Sequence, residues 1–388
     1  MPIVILLICL VASAGVLGTT WLFPLLGRLL WNSQKRDEQT EYIGGNPHTK
    51  LTPLSLAIII PAHNEEAVLA ETLESIILAS ACAHSLQPNL EISICVGADG
   101  CTDKTAELAR KFGATVFESP NQRGKWETIE LLIRKHARFE WISIVDAGAV
   151  WPQDLLVKCL PLCRLEAVLA VAPSYRNPEG GFLEGLNWLV ESHFKKLEAR
   201  AGGPVSLHGA TMLYHRPALE AAIAKLGEKR WLNDDVVLPL MLRLQNPNGR
   251  IVYVPEIRVV ESSSASPQHS QEFIRRKRMA LGNLQWIKQI FPSALRSNQV
   301  VGILALRRIF RVLWAYWSIL FCFAIIAIIG AFSLPALLAL ATAGTLALAA
   351  SFCLKPRGSE ALLAAAQVSL LAPYYLWAET DLPQVEWK

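Results

Sequence analysis

The sequence predicts an α/β domain built on a parallel sheet and held between one N-terminal and about three C-terminal transmembrane helices. Three observations point there. Short β-branched runs alternate with helical patterns from residue 56 to residue 145, the order that gives a parallel sheet with helices on both faces. Asp, Glu, Lys and Arg are absent from 1–27, 312–354 and 361–378. Polar clusters, His63-Asn64-Glu65-Glu66, Asp99-Gly100 and Asp146, fall at strand ends, where sheets of this kind bind ligands. The chain has 388 residues, 52% hydrophobic and 18% charged, with a mean hydropathy of +0.31. Soluble domains carry about 25% charged residues. The composition therefore excludes an ordinary soluble enzyme, a disordered chain and a disulfide-stapled secreted module.

A bilayer core about 30 Å thick takes about 20 apolar residues as helix. The run from Pro2 to Gly27 is long enough and is followed by Arg28, Lys35 and Arg36. A cleaved signal peptide would have a basic start and a shorter apolar core, so an uncleaved anchor is favoured. Strands are then expected at 56–60, 92–96, 115–117 and 141–145, with helices at 65–79, 102–112 and 125–136. Residues 262–270 read as a flexible loop. A basic amphipathic helix follows, with Phe273, Ile274, Leu281, Leu284, Ile287 and Ile290 on its apolar side and Trp286 as a membrane-interface anchor. The second apolar window suits two spans, near 312–331 and 334–354, and the last window covers about 360–378.

Basic flanks orient these spans. Arg28, Lys35 and Arg36, then Arg307, Arg308 and Arg311, then Lys355 and Arg357 all fall on one side. The positive-inside rule places them, and 32–306, in the cytoplasm of an inner (plasma) membrane protein with both termini outside. The resulting units are 1–31, 50–268, 269–306 and 307–388. The central part, 28–311, carries 34 Lys and Arg against 29 Asp and Glu, and that net +5 is too mild to imply nucleic acid and suits an anionic lipid leaflet. The eight cysteines show no zinc-ligand spacing and are expected as reduced, mostly buried thiols.

Three acidic sites carry the chemistry: Asp99 in GADGCTDKT, Asp146 in VDAGAV and Asp234-Asp235 in WLNDDVVLPL. A single strand-end Asp is often only a helix N-cap. Three in series, with Lys125 between, favour a shared ligand. A nucleotide diphosphate with a divalent ion fits, because Mg2+ takes one or two carboxylates plus phosphate oxygens.

Seven motifs then occur in order: AIIIPAHNEE, GADGCTDKTAELA, RGKWETI, VDAGA, HGATMLYHRPAL, NDDVVLPLMLRL and RRKRM. Over about 55–290 the chain resembles the membrane-embedded family 2 inverting glycosyltransferases. That group includes cellulose, hyaluronan and poly-N-acetylglucosamine synthases and ceramide glucosyltransferase. The resemblance implies a cytoplasmic GT-A domain, Rossmann-like and nucleotide-sugar-binding. It also implies residue roles. Pro61, Ala62, Asn64 and Glu66 would hold the nucleotide, with Glu66 near the uridine ribose; a helix cap is the other reading of Asn64. Asp99 would contact the base or ribose, although many relatives carry two acidic residues where this chain has Ala98-Asp99. Lys125 would reach the base or diphosphate.

Asp146 opens what is usually an Asp-x-Asp metal motif, but here Ala147-Gly148 follows. One carboxylate is left for Mg2+ or Mn2+, with His208 as a possible second ligand or else a hydrogen-bonded loop histidine. Asp235 aligns with the catalytic base and Asp234 with its acidic neighbour, an order that is open to reversal; adjacent carboxylates raise one pKa. Double N-capping of a helix over 236–244 is the bland alternative. Arg275 and Arg278 form Arg-x-x-Arg, with Arg278 stabilising the leaving diphosphate. Met279 stands where relatives have a Trp that stacks on the acceptor sugar. The same basic cluster also suits lipid headgroups.

The resemblance thus implies transfer of a sugar from a nucleotide donor, UDP-linked, to an acceptor hydroxyl at the cytoplasmic face with inversion. The acceptor is a membrane lipid or a growing polysaccharide; four helices are few for a polymer conduit unless a partner subunit completes it. A non-catalytic nucleotide-sugar-binding scaffold for a partner synthase is the alternative. The presence of Asp146, Asp235 and Arg278 argues against it. Apolar windows without internal charge argue against a transporter.

Overall fold

The computed structural model describes residues 2–31, 54–177, 182–262, 269–332, 342 and 359–377. Its centre is β1 (Ser55–Ala62). Leu56, Ile58 and Ile60 point into one apolar core, while Ala57 and Ile59 point into another. This is the period-two alternation of a strand. Both faces are covered, so the strand is a continuous apolar run rather than an alternating one.

β1 lies parallel to β2 (Glu91–Asp99) on one side and to β4 (Trp141–Val145) on the other. β3 (Thr115–Ser119) extends the β2 side. The connections are α3 (Leu69–Leu86), α4 (Thr105–Lys111) and α5 (Lys125–Lys135). The chain therefore moves outward through β2 and β3, then returns across β1. That reversal is a topological switch point, the usual place for a ligand crevice. Helix α3 starts at Leu69 rather than at 65. Asn64 adopts φ 54, and the Glu65 carbonyl accepts from Val68 and Leu69 in a turn before the helix begins.

The second half of the sheet is mixed. It adds β5 (Ala149–Val150), β6 (Val168–Arg176), β7 (Thr211–His215) and β8 (Arg250–Glu261). The described strands run in the order β3-β2-β1-β4-β7-β6-β8-β5. β7 is antiparallel to both β4 and β6. Helices α6 (Leu155–Cys159), α7 (Phe182–Ala199), α8 (Arg216–Leu226) and α9 (Asp234–Gln245) link these strands. Cys95, Cys159 and Cys163 are buried free thiols.

The apolar ends differ from expectation. The N-terminal window is divided into α1 (Pro2–Thr19) and α2 (Leu22–Leu30), bent by 62°. After α10 (His269–Gln289) and α11 (Phe291–Ser297), α12 (Gln299–Val312) meets α13 (Trp314–Phe332) at 67°. Among the described residues no single helix is long and apolar enough to cross a membrane, whereas each bent pair passes that test of length and composition jointly. The span expected over 334–354 lies outside the described residues. The last one falls on α14 (Ser359–Trp377), which contains Pro373.

Two packing features organise these helices. Gly15 and Gly18 of α1 allow close approach of α13 and α12, since a Cβ at either would lie 2.4 Å from the ring of Trp317 or Phe310. Those two rings stack on each other, with centroids 5.2 Å apart. Between α12 and α7 lies a buried ionic network. Arg307 donates from Nε to Glu198 at 2.8 Å and from Nη2 to Glu191 at 3.0 Å, and Arg311 also pairs with Glu191. Burial alone would raise the Glu191 carboxyl; the two guanidiniums outweigh it and hold it well below the usual range.

Trp286 is a correction to the sequence reading. It is fully buried, its ring meets Phe291 edge-on, and its Nε1 donates to Asn283 at 3.1 Å. It is therefore a core residue and not an interface anchor. Leu281 and Leu284 of α10, and Ile290 just after it, are buried too. Trp286 and Ile290 join Val301 and Leu304 of α12 in one core.

Candidate active site

The site gathers at the carboxyl ends of β1, β2 and β4. Two loops there are stitched together. The Asn64 side-chain oxygen accepts from the Thr102 N–H at 2.8 Å, and Glu65 N–H donates to Thr105 at 2.8 Å. Glu66 N–H donates to Asp103 at 3.1 Å, while the Glu66 carboxylate accepts from Lys104 N–H at 3.0 Å. This is a reciprocal arrangement resembling a capping box split across two strands. Pro61 and Ala62 are buried beneath it. Asp103 was not singled out in the sequence. Its place two residues before Thr105, where α4 starts, is the signal that would have found it.

Asp99 is buried. Its oxygens accept from Arg123 N–H at 2.9 Å and Gly124 N–H at 2.7 Å, and its carbonyl meets His63 Nδ1 at 2.6 Å. Asp99 thus sets the turn that delivers Lys125 at the start of α5. Asp99→Ala would leave two N–H groups without their acceptor. We expect a loss of about 1–3 kcal/mol in thermal unfolding, together with weaker nucleotide binding in a titration with UDP.

Lys125 joins two of the predicted acidic sites. Its Nζ lies 2.8 Å from Asp146 and 3.1 Å from Asp234. Burial disfavours the ammonium, but the two carboxylates overcome this and raise its pKa above the ordinary lysine value. Asp234 is buried, and its second oxygen has no hydrogen-bond partner among the described residues. Asp235 is half-buried. Burial first, and the adjacent Asp234 second, push its carboxyl up to about 6, against the pull of Arg308, Lys125 and Lys195. The helix start is capped in sequence by Asn233, but no side-chain cap bond forms. Instead the Asn233 amide donates to the Met279 carbonyl at 2.9 Å, which ties α9 to α10. Asp234 and Asp235 are the first two residues of the helix itself, in its first turn.

His208 does not join this group as a ligand would. It is buried, its Nε2 lies 3.2 Å from the Tyr253 hydroxyl, and its ring sits among Tyr175, Trp188 and Tyr253. Burial holds its pKa well below the ordinary value. Its alternative reading, a hydrogen-bonded loop histidine, matches this environment. The described residues contain no group of three or more His, Cys, Asp and Glu set to hold an ion. The donor set fits a divalent ion bound mainly by phosphate oxygens and water, with the part-exposed Asp146 as its protein carboxylate. Arg278 is half-buried on α10, and the side chain of Arg275 lies outside the described residues.

Residues 53–281, well over half of the chain, match the family described as Glycosyltransferase like family 2. The chain belongs to this family. Among solved structures, a mannosyltransferase from Pyrobaculum calidifontis, in complex with GDP-Man and Mn2+, shares 21% identity at a TM-score of 0.62. The alignment covers 96% of this chain and all of that one. It shows that the family 2 domain has the mixed α/β GT-A fold. A glucosyl-3-phosphoglycerate synthase from Mycobacterium tuberculosis, with Mn2+ and UDP, aligns over 58% of this chain and 78% of its own at 20% identity and TM-score 0.41. A 4,4'-diaponeurosporenoate glycosyltransferase from Staphylococcus aureus is 42% identical over 73 residues. That segment is 19% of this family 2 chain and only 17% of the relative's length.

Proposed function

We propose that the protein is a membrane-associated inverting glycosyltransferase, which moves a sugar from a UDP-linked donor to an acceptor hydroxyl at the cytoplasmic face of the plasma membrane. The observation that carries this reading is the division of labour between neighbouring carboxylates. Asp234 is committed to Lys125, while Asp235, at about 6, is poised to accept a proton near neutral pH. Asp235 takes the acceptor proton as the acceptor oxygen bonds to the sugar's anomeric carbon. The bond from that carbon to the diphosphate breaks on the opposite side, and this single displacement inverts the centre. Lys125, Arg275 and Arg278 neutralise the leaving diphosphate. A divalent ion, Mg2+ or Mn2+ held at Asp146, would add to that neutralisation.

A lipid acceptor is favoured over a polysaccharide by the surroundings of α9. Met279, 47% exposed, is tied to Asn233 at the start of the catalytic helix. An exposed apolar side chain on the helix tied to the start of α9 suits a lipid carrying the hydroxyl. A polymer acceptor remains the second reading and calls for a partner subunit.

The test is incubation of the purified full chain with radiolabelled UDP- and GDP-sugars and membrane lipids. A labelled product with lipid mobility is expected. A polymer would favour the second reading. Nucleotide binding without any product would leave a scaffold. In the same preparation EDTA is expected to weaken UDP binding, and excess Mg2+ to restore it; binding indifferent to EDTA removes the metal from the mechanism.

A further inference from the structure

Pro239 lies inside α9. In an α-helix the N–H of a residue bonds the carbonyl four positions earlier, so residue 239 would ordinarily hold the Asp235 carbonyl. Proline has no N–H, and its ring crowds that carbonyl. The released carbonyl accepts instead from the Leu207 N–H at 2.8 Å.

Leu207 belongs to a short stretch, 206–210, that is fastened at both ends. At Ser206, the Lys195 Nζ lies 2.5 Å from the carbonyl and 3.2 Å from the hydroxyl. Arg308 donates to the same hydroxyl at 2.5 Å. At Ala210, the carbonyl accepts the Asp146 N–H at 3.1 Å. Gly209, between them, packs against both acids: a Cβ there would lie 3.6 Å from Asp235 Cβ and 3.7 Å from Asp146 Oδ2. One backbone segment thus holds the residue proposed as base and the residue proposed to face the diphosphate. It is gripped in turn by α7 through Lys195 and by α12 through Arg308.

We propose that Pro239 is a positioning residue for sugar transfer: by leaving the Asp235 carbonyl without its helical partner, it docks Asp235 onto the 206–210 segment and sets its spacing from Asp146. The inference rests on Asp235 being the base. It separates two effects that usually move together. An interior proline weakens a helix, so Pro239→Ala is expected to keep or raise the melting temperature. The new N–H would compete for the Asp235 carbonyl and loosen the segment.

The experiment compares wild type, Pro239→Ala, Ser206→Ala and Asp235→Asn. For Pro239→Ala we expect unchanged UDP binding, faster hydrogen exchange in the peptide spanning 203–210, and a kcat lower by about tenfold to a hundredfold at little-changed donor KM. A folded Pro239→Ala variant with wild-type kcat overturns the proposal, as does one that loses UDP binding together with activity. Should Pro239→Ala fail to fold, Ser206→Ala decides. It removes the hydroxyl held by Lys195 and Arg308, and a full kcat there overturns the proposal. Asp235→Asn keeps the two readings apart. If it turns over normally, the base assignment fails and the positioning role falls with it. If it is silent while Pro239→Ala and Ser206→Ala run at full rate, only the positioning role fails.

Discussion

Asp235→Asn is expected to abolish sugar transfer while leaving UDP binding intact. The amide keeps the size of the side chain and removes its basicity. Loss of a general base lowers turnover by about 10²–10⁴-fold. The pH dependence gives a second check. With its carboxyl near 6, Asp235 is protonated and inactive as a base at lower pH and ionised at higher pH. Turnover should rise with pH through about 6 and then level. Asp234→Asn tests the neighbour differently. It removes the like charge that helps raise Asp235, so the rising limb should move to lower pH. It also releases Lys125 from one of its two carboxylates. Steady-state rates across pH for the two variants distinguish the roles, and full turnover by Asp235→Asn would sink the assignment.

The largest effect on stability is expected at Arg307→Ala. Arg307 is 1% exposed, and its partners Glu198 and Glu191 are 0% and 7% exposed. Removing the guanidinium leaves buried carboxylates without their counter-charge, and Glu198 already has one oxygen lacking a hydrogen-bond partner among the described residues. Breaking such a group typically costs about 3–5 kcal/mol, measurable by denaturant unfolding. The pH dependence follows from Glu191, whose pKa is depressed in the fold. A depressed carboxyl contributes stability above its unfolded pKa and loses it as pH falls through the folded value. Wild type and Arg307→Ala should therefore converge in acid. A constant gap across pH would exclude this source.

The parallel half of the sheet was legible because its signals are local. Each strand end carried its own polar cluster, and the helices between were short and periodic. Lys125, Asp146 and the Asp234-Asp235 pair could be named for the same reason. What bends or pairs over long distances was hidden. Hydropathy shows an apolar window at 1–27 but not the break between Thr19 and Leu22. Arg307, Arg308 and Arg311 read as a topogenic flank, yet Arg307 and Arg311 pair with Glu191, far back in the chain, and Arg308 donates to Ser206. The insertion of β7 between β4 and β6 reverses the parallel pattern by a pairing with no nearby cue. Trp286 was misplaced because burial on an amphipathic helix depends on what covers it. Pro239 was visible in the sequence, but its meaning needed Leu207, which arrives from another element.

The grip of α12 and α13 on α1 has a consequence for how the protein is made. Gly15 and Gly18 receive Trp317 and Phe310, and the whole catalytic segment is translated between the two halves of that contact. At about 5–20 residues per second, α1 emerges roughly fifteen to sixty seconds before its partner helices exist. During that interval Gly15 and Gly18 lack the two rings that later cover them. The contact of α1 with α12 and α13 is then among the later ones to close in biogenesis.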